Sequence, residues 1–163
     1  MMEGANRTNQ VLTFILGMET YGVDILLVQE IRGWSQVTRI PQTPPDVLGV
    51  LNLRGSIVPI VDLRMRFRLE RAEYTAVTVI IVLSVETSSG RRDLGVVVDG
   101  VSDVIDIKAV DLKPAPDLGS QVSTEFIQGL MTVGENMVML LDIDRLVGGD
   151  IGDVVMPPKV ANG

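Results

Sequence analysis

One hairpin pattern occurs twice in this chain, and a repeated hairpin leaves few folds open. Val47–Leu63 (V-L-G-V-L-N-L-R-G-S-I-V-P-I-V-D-L) aligns, 80 positions on, with Ile127–Ile143 (I-Q-G-L-M-T-V-G-E-N-M-V-M-L-L-D-I). Nine of the 17 paired positions are apolar in both segments, so both copies are built to bury the same faces. Gly49 meets Gly129, Val58 meets Val138 and Asp62 meets Asp142. Upstream, at a spacing of 73, Gly22–Ile31 aligns with Gly95–Val104. There Gly22/Gly95, Val23/Val96 and Val28/Val101 are identical, Glu30 opposes Asp103, and Pro41 lands on Pro114. Two segments in the same order, both anchored on glycine, indicate an internal duplication. The two hairpins should superpose, with Gly49 and Gly129 in equivalent turns.

Duplication supplies its own control: positions shared by both copies answer to the fold, and positions that differ are candidates for function. Arg54 is opposed by Gly134, Gly55 by Glu135 and Pro59 by Met139. The hairpin therefore does not require an arginine at its turn, and Arg54 is singled out. Within Asn52–Arg64 (N-L-R-G-S-I-V-P-I-V-D-L-R), Gly55-Ser56 is expected to reverse the chain. Pro59 lacks a ladder donor, which predicts a sheet edge or a neighbouring bulge.

The remaining pattern is one of short strands. Val11–Leu16 alternates as a strand and Gly17–Tyr21 turns it back. Asp24 is expected to cap a short helix with Ile25, Val28 and Ile31 on one face, and 32–40 to form a strand. Thr43-Pro44-Pro45-Asp46 has the composition of a helix start, and Asp62 that of a cap over Leu63 and Phe67. In the second copy, 77–85 and 94–98 are strands flanking a polar loop at 87–92, Asp99 opens a short helix bearing Val101 and Val104, and 112–123 is a loop. Ser123-Thr124-Glu125 caps the turn before Gly129. Many short strands with single-turn helices indicate an all-β fold of two small side-by-side five-stranded barrels, SH3-like or OB-like, not a βαβ sheet. The pseudo-repeats run over about 10–70 and 74–147 within a single 10–147 domain, with disordered tails at 1–9 and 148–163. Units of that size are marginal alone, so the copies should share buried surface and are open to strand exchange.

Composition removes most chemistry. The 163 residues contain no cysteine and no histidine, which excludes a histidine base, a histidine zinc ligand, a Ser-His-Asp triad and a phosphohistidine relay. No glycine-rich phosphate loop is present. No run is long enough to span a bilayer and the N-terminus lacks an apolar signal core, so a cytosolic protein without cofactor or metal is expected. A net charge of −7, with one Trp, two Tyr and three Phe, weighs against nucleic acid. Arg64, Arg66, Arg68 and Arg71 are interleaved with Glu70 and Glu73, the mark of a solvated face. Asp99, Asp103, Asp106 and Asp111 lack calcium-loop spacing.

Y-G-V-D-I-L-L-V-Q-E-I-R (21–32), N-L-R-G-S-I-V-P-I-V-D-L-R (52–64) and V-V-V-D-G-V-S-D-V (96–104) together resemble the CheW family of bacterial chemotaxis coupling proteins over about 10–147. The resemblance implies two packed five-stranded barrels, no catalysis, and a bridging role between the cytoplasmic tips of chemoreceptors and the regulatory domain of the histidine kinase CheA. It implies recruitment to membrane-associated receptor arrays without direct membrane contact. It places a receptor-binding groove between the barrels at Val28, Glu30, Ile31, Gly49, Leu53, Arg54, Gly95, Val97, Val101 and Val104, and links Gly33, Gly55 and Gly129 with kinase binding.

Periodicity alone makes Val28, Ile31, Val101 and Val104 core residues; the resemblance turns them into the lining of a shallow groove for a partner's helix. Two other function classes remain weaker: an OB-like nucleic-acid or nucleotide binder, and a hydrolase using two carboxylates from 99–111. The asymmetry between copies adds one geometric expectation. Glu30 and Arg54 should form an ion pair at the groove rim, in repeat one only.

Overall fold

The computed structural model describes residues 8–67, 69–70, 73–87, 90–108, 112–114 and 126–146. The expected C-terminal tail and the 123–125 cap lie outside the described residues. Ten strands follow one another: β1 (Thr8–Leu16), β2 (Glu19–Asp24), β3 (Val28–Gly33), β4 (Val47–Leu53), β5 (Ser56–Asp62), β6 (Val79–Thr87), β7 (Gly90–Val98), β8 (Gly100–Lys108), β9 (Ile127–Val133) and β10 (Asn136–Leu141). Helical structure among the described residues is a 3-10 turn, Ile25–Leu27, and two single-turn helices, α1 (Leu63–Arg66) and α2 (Ile143–Leu146).

The strands form two five-stranded sheets with orders β8-β1-β2-β10-β9 and β3-β6-β7-β5-β4. Replacing every strand by its counterpart in the other repeat converts the first order into the second, as duplication requires. Each sheet takes strands from both repeats, so the exchange left open by the sequence is complete. Antiparallel ladders β1–β8 and β3–β6 and two short parallel ladders carry it. Leu140 of β10 pairs with Gly22 of β2, and Ile60 of β5 pairs with Gly95 of β7, at positions equivalent under the two spacings. The shared glycines explain themselves here. A Cβ on Gly22 would lie 2.5 Å from Val11 Cγ1, and one on Gly95 would lie 2.6 Å from Ile60 Cδ1.

Gly49 and Gly129 are equivalent but sit inside β4 and β9, not in turns. Each faces a connecting segment that bridges the outer edge of its strand: Thr38 pairs with Val50, and Lys113 with Leu130. A Cβ on Gly49 would collide with the Thr38 carbonyl oxygen, and one on Gly129 would lie 2.7 Å from that of Lys113. These segments close the open edge of each sheet around its own core. One core contains Leu48, Leu53, Val58, Ile60, Ile80, Val82 and Val97, the other Val11, Ile107, Met131, Val138 and Leu140. A third and larger core joins the two sheets, with Phe14 and Tyr21 from one and Ile81 and Val96 from the other. Burying these apolar side chains at about 1.5–3 kcal/mol each is the main force holding the sheets together.

Several local expectations need correction. β1 begins at Thr8, inside the segment expected to be disordered. Asp24 does cap, accepting from Leu26 N–H at 3.0 Å, but the helix stops after three residues and Val28–Gly33 is a strand. Three apolar residues cannot sustain a helix when β3 gains a full ladder against β6. For the same reason Asp99 opens no helix: Val101 and Val104 lie on β8, paired with Phe14 and Leu12. The strand expected at 32–40 ends at Gly33, leaving a single bridge at Thr38. Thr43–Asp46 forms turns without a helix, and the expected 87–92 loop lies largely within β6 and β7. Asp62 caps α1 as expected, accepting from Arg64 N–H at 2.9 Å. Pro59 is beside a bulge but not at a sheet edge, since β5 lies between β4 and β7. The parallel ladder to β7 starts one residue later, at Ile60, so no ladder bond is lost at Pro59.

Charged side chains also tie the sheets. Arg66 of α1 reaches Asp46 at 3.4 Å and the Leu146 carbonyl at 3.1 Å, with its guanidinium 5.0 Å from the Phe126 ring centre. Arg64 grips Asp99 in a two-pronged pair, Nε to Oδ1 at 2.8 Å and Nη2 to Oδ2 at 2.6 Å. That hydrogen bonding holds the Asp99 carboxyl below its ordinary 3.8, helped by the Gly17 N–H.

Two outcomes are expected. Gly49→Ala should destabilise the chain by at least about 2 kcal/mol in urea unfolding, since backbone must move, whereas Gly33→Ala, with open space around it, should lie within about 0.5 kcal/mol of the parent. Because the Asp99 pKa is depressed by folding, its contribution is present above 3.8 and lost as pH falls through the folded value. The gap in unfolding midpoint between the parent and Asp99→Asn should therefore be constant above about pH 5 and shrink in stronger acid.

Candidate functional site

β3 is an edge strand of one sheet and β8 an edge strand of the other. Equivalent positions on these two strands carry most of the candidate residues. Along β3, Val28, Glu30 and Arg32 are half-buried and Gln29, Ile31 and Gly33 are exposed. Val28 and its counterpart Val101 both pack against the core between the sheets. Ile31 and its counterpart Val104 are exposed, at 46% and 50%. One repeat thus offers Val28 below and Ile31 above, and the other repeats that arrangement with Val101 and Val104.

The expected ion pair is present. Arg54 Nη2 donates to Glu30 Oε1 at 2.8 Å, and Arg32 Nη1 donates to the other carboxylate oxygen at 3.3 Å. Hydrogen bonding from Arg54, reinforced by the charge of both arginines, holds the Glu30 carboxyl below its ordinary 4.5. The same bond raises Arg54, and Asp93 adds attraction from β7. Its setting differs from the sequence reading: Glu30 leaves a strand, not a helix, and Arg54 with Gly55 forms the turn itself. Arg54 has φ 55° and Gly55 φ 91°, the left-handed pair of a two-residue hairpin turn. Gly134, at the same place in repeat two, has φ 62°. The fold thus favours glycine where repeat one carries arginine, and Arg54 takes on a backbone cost that its hairpin does not require.

Four candidates are buried and present no surface to a partner. Leu53 and Val97 belong to an interior barrel core, while Gly49 and Gly95 stand where another chain segment or side chain closes in. Among the kinase-linked glycines, Gly129 is likewise buried, under Leu112 and Lys113, whereas Gly33 and Gly55 are exposed. Sequence reading missed Arg32 and Asp93 as members of the charged cluster. The period-2 spacing of Glu30 and Arg32 was the available signal, hidden by reading that segment as helix. Among the described residues no group of acidic side chains is arranged to hold a metal, and no helix is long and apolar enough to cross a membrane.

Residues 10–150 match the CheW-like domain family. The chain belongs to the CheW-like family. It is 47% identical over 149 residues to the chemotaxis protein CheW of Klebsiella aerogenes, covering 91% of this chain and 87% of that one. The CheW of Rhizobium meliloti is 37% identical over 141 residues, covering 86% and 88%. Among solved structures, the scaffolding protein TtCheW from Thermoanaerobacter tengcongensis superposes with a TM-score of 0.78 at 29% identity, covering 89% of this chain and 96% of that one. CheW-like proteins are chemotaxis scaffolds and adaptors, not enzymes.

In this CheW-like chain Arg54→Gly tests whether folding needs the arginine. Its thermal midpoint should equal or exceed the parent's, because glycine adopts φ 55° without strain. A clear fall in the midpoint would make Arg54 a structural residue.

Proposed function

We propose that this chain is a non-enzymatic cytoplasmic adaptor that couples chemoreceptor tips to the regulatory domain of CheA, recruited to membrane-associated arrays through those partners. The observation that carries the receptor half is the doubled rim: Ile31 and Val104, exposed at equivalent positions on edge strands of different sheets, beside a Glu30–Arg54 pair found in repeat one alone. Exposed aliphatic side chains standing over half-buried Val28 and Val101 suit a partner helix with an apolar stripe. The Arg54 fork, 75% exposed and already oriented by Glu30, leaves donors free for a polar group at that helix's edge. The kinase half is assigned to the exposed Gly33 and Gly55 at the ends of β3 and of the first hairpin turn, where a side chain would stand between the surfaces.

Binding to a chemoreceptor cytoplasmic fragment and to a CheA regulatory domain, measured separately by calorimetry, tests this reading. Ile31→Asp and Val104→Asp should each weaken receptor binding about tenfold or more while leaving kinase binding nearly unchanged. A folded parent chain that binds neither partner would overturn the reading. Retention on heparin at low salt would favour the nucleic-acid alternative.

A further inference from the structure

The chain crosses from one sheet to the other at two equivalent places, and they are built differently. Between β2 and β3 lies the 3-10 turn Ile25–Leu27, with Leu26 75% exposed. Between β7 and β8 lies the single residue Asp99, whose N–H and both carboxylate oxygens are engaged. Its N–H donates to the Ile15 carbonyl at 3.0 Å. Its Oδ2 accepts from the Gly17 N–H at 2.7 Å, in the β1–β2 turn. Both carboxylate oxygens accept from Arg64 on α1, which follows β5 in the opposite sheet. Arg64 is anchored in turn, donating from Nη1 to the Glu70 carbonyl at 2.8 Å. Its side chain is only 19% exposed, against 75% for Arg54.

This brace exists on one side of the molecule. At the spacing of 80 the counterpart of Arg64 is Asp144, an acid that cannot make the same grip. The spacing of 73 places Leu26 opposite Asp99. By the control that duplication provides, neither partner of the brace is required to build a crossover. Its position supplies the purpose, since β8 begins at Gly100, the next residue, and Val101 and Val104 follow within one and four residues of it.

We propose that Arg64 and Asp99 are positioning residues for receptor binding: their inter-sheet brace fixes where β8 leaves the crossover and so sets Val101 and Val104 against Val28 and Ile31 of the other sheet. This rests on the adaptor reading above. A rigid β8 and a crossover without such a brace before β3 give the site one fixed jaw, which lowers the ordering cost of closing on a helix.

The test uses the full chain, a chemoreceptor cytoplasmic fragment and hydrogen exchange. Asp99→Asn keeps the shape and an oxygen for the Gly17 N–H but loses the charge. It should remain folded at the assay temperature, bind the fragment about tenfold more weakly, and exchange amides of 100–104 faster while those of 28–31 keep the parent rate. Arg145→Gln, which removes a charge whose pairing with Asp142 stays within one turn, should change neither quantity. Should Asp99→Asn unfold, Arg64→Lys decides by the same two readouts, because it keeps the charge and loses the fork. Parent-like affinity, or faster exchange spread evenly over both sheets, overturns the proposal while leaving the adaptor reading intact. A parent chain that does not bind the fragment overturns both.

Discussion

Two short parallel ladders, β2 against β10 and β5 against β7, join a three-stranded and a two-stranded piece into each five-stranded sheet. Without them the three-stranded pieces β8-β1-β2 and β3-β6-β7 would stand apart from the hairpins β9-β10 and β4-β5, each with too little surface to bury a core. With them each sheet becomes five-stranded, and each sheet needs both repeats. The ladders demand close approach at Gly22 and Gly95, where any side chain would strike Val11 or Ile60. The same logic extends outward to Gly49 and Gly129, over which the connecting segments pass. Four glycines that look like turn punctuation in the sequence are contact points between chain segments.

Exchange also explains how a small all-β protein can set equivalent candidate residues on two different sheets. The strands bearing the candidate residues, β3 and β8, are equivalent in the duplication but belong to different sheets, and each follows directly on a crossover. Val28 and Val101 meet the same core, so the rim residues beside them are held to that core from both sides. Where the copies agree, residues serve folding. Where they disagree, as at Arg54/Gly134 and Arg64/Asp144, the arginine in repeat one makes an ion pair that the hairpin or helix does not need.

Duplication, capping by Asp62 and the Glu30–Arg54 pair were legible in the residues, because each rests on spacing or on a local rule, while membership of the CheW-like family was legible through the resemblance of three motifs. The short helices expected after Asp24 and Asp99 were not. Valine-rich segments of six to nine residues satisfy helical and extended periodicity alike, and only ladders to β6 and β1, dozens of residues away, decide the matter. Burial at Leu53 and Val97 escaped the sequence for the same reason: a motif fixes which residues matter without saying whether they touch the partner or support those that do. Arg64–Asp99 lies 35 residues apart across the exchange, and no local pattern announces it.

The central claim is a receptor site shared by both repeats and both sheets. Amide chemical-shift mapping of the labelled chain, titrated with a chemoreceptor cytoplasmic fragment, tests it most directly. The account predicts one saturable event that perturbs 28–32, the Arg54 turn and 101–104 together. Perturbation confined to one repeat, or centred on the β9–β10 hairpin with β3 and β8 silent, would contradict it.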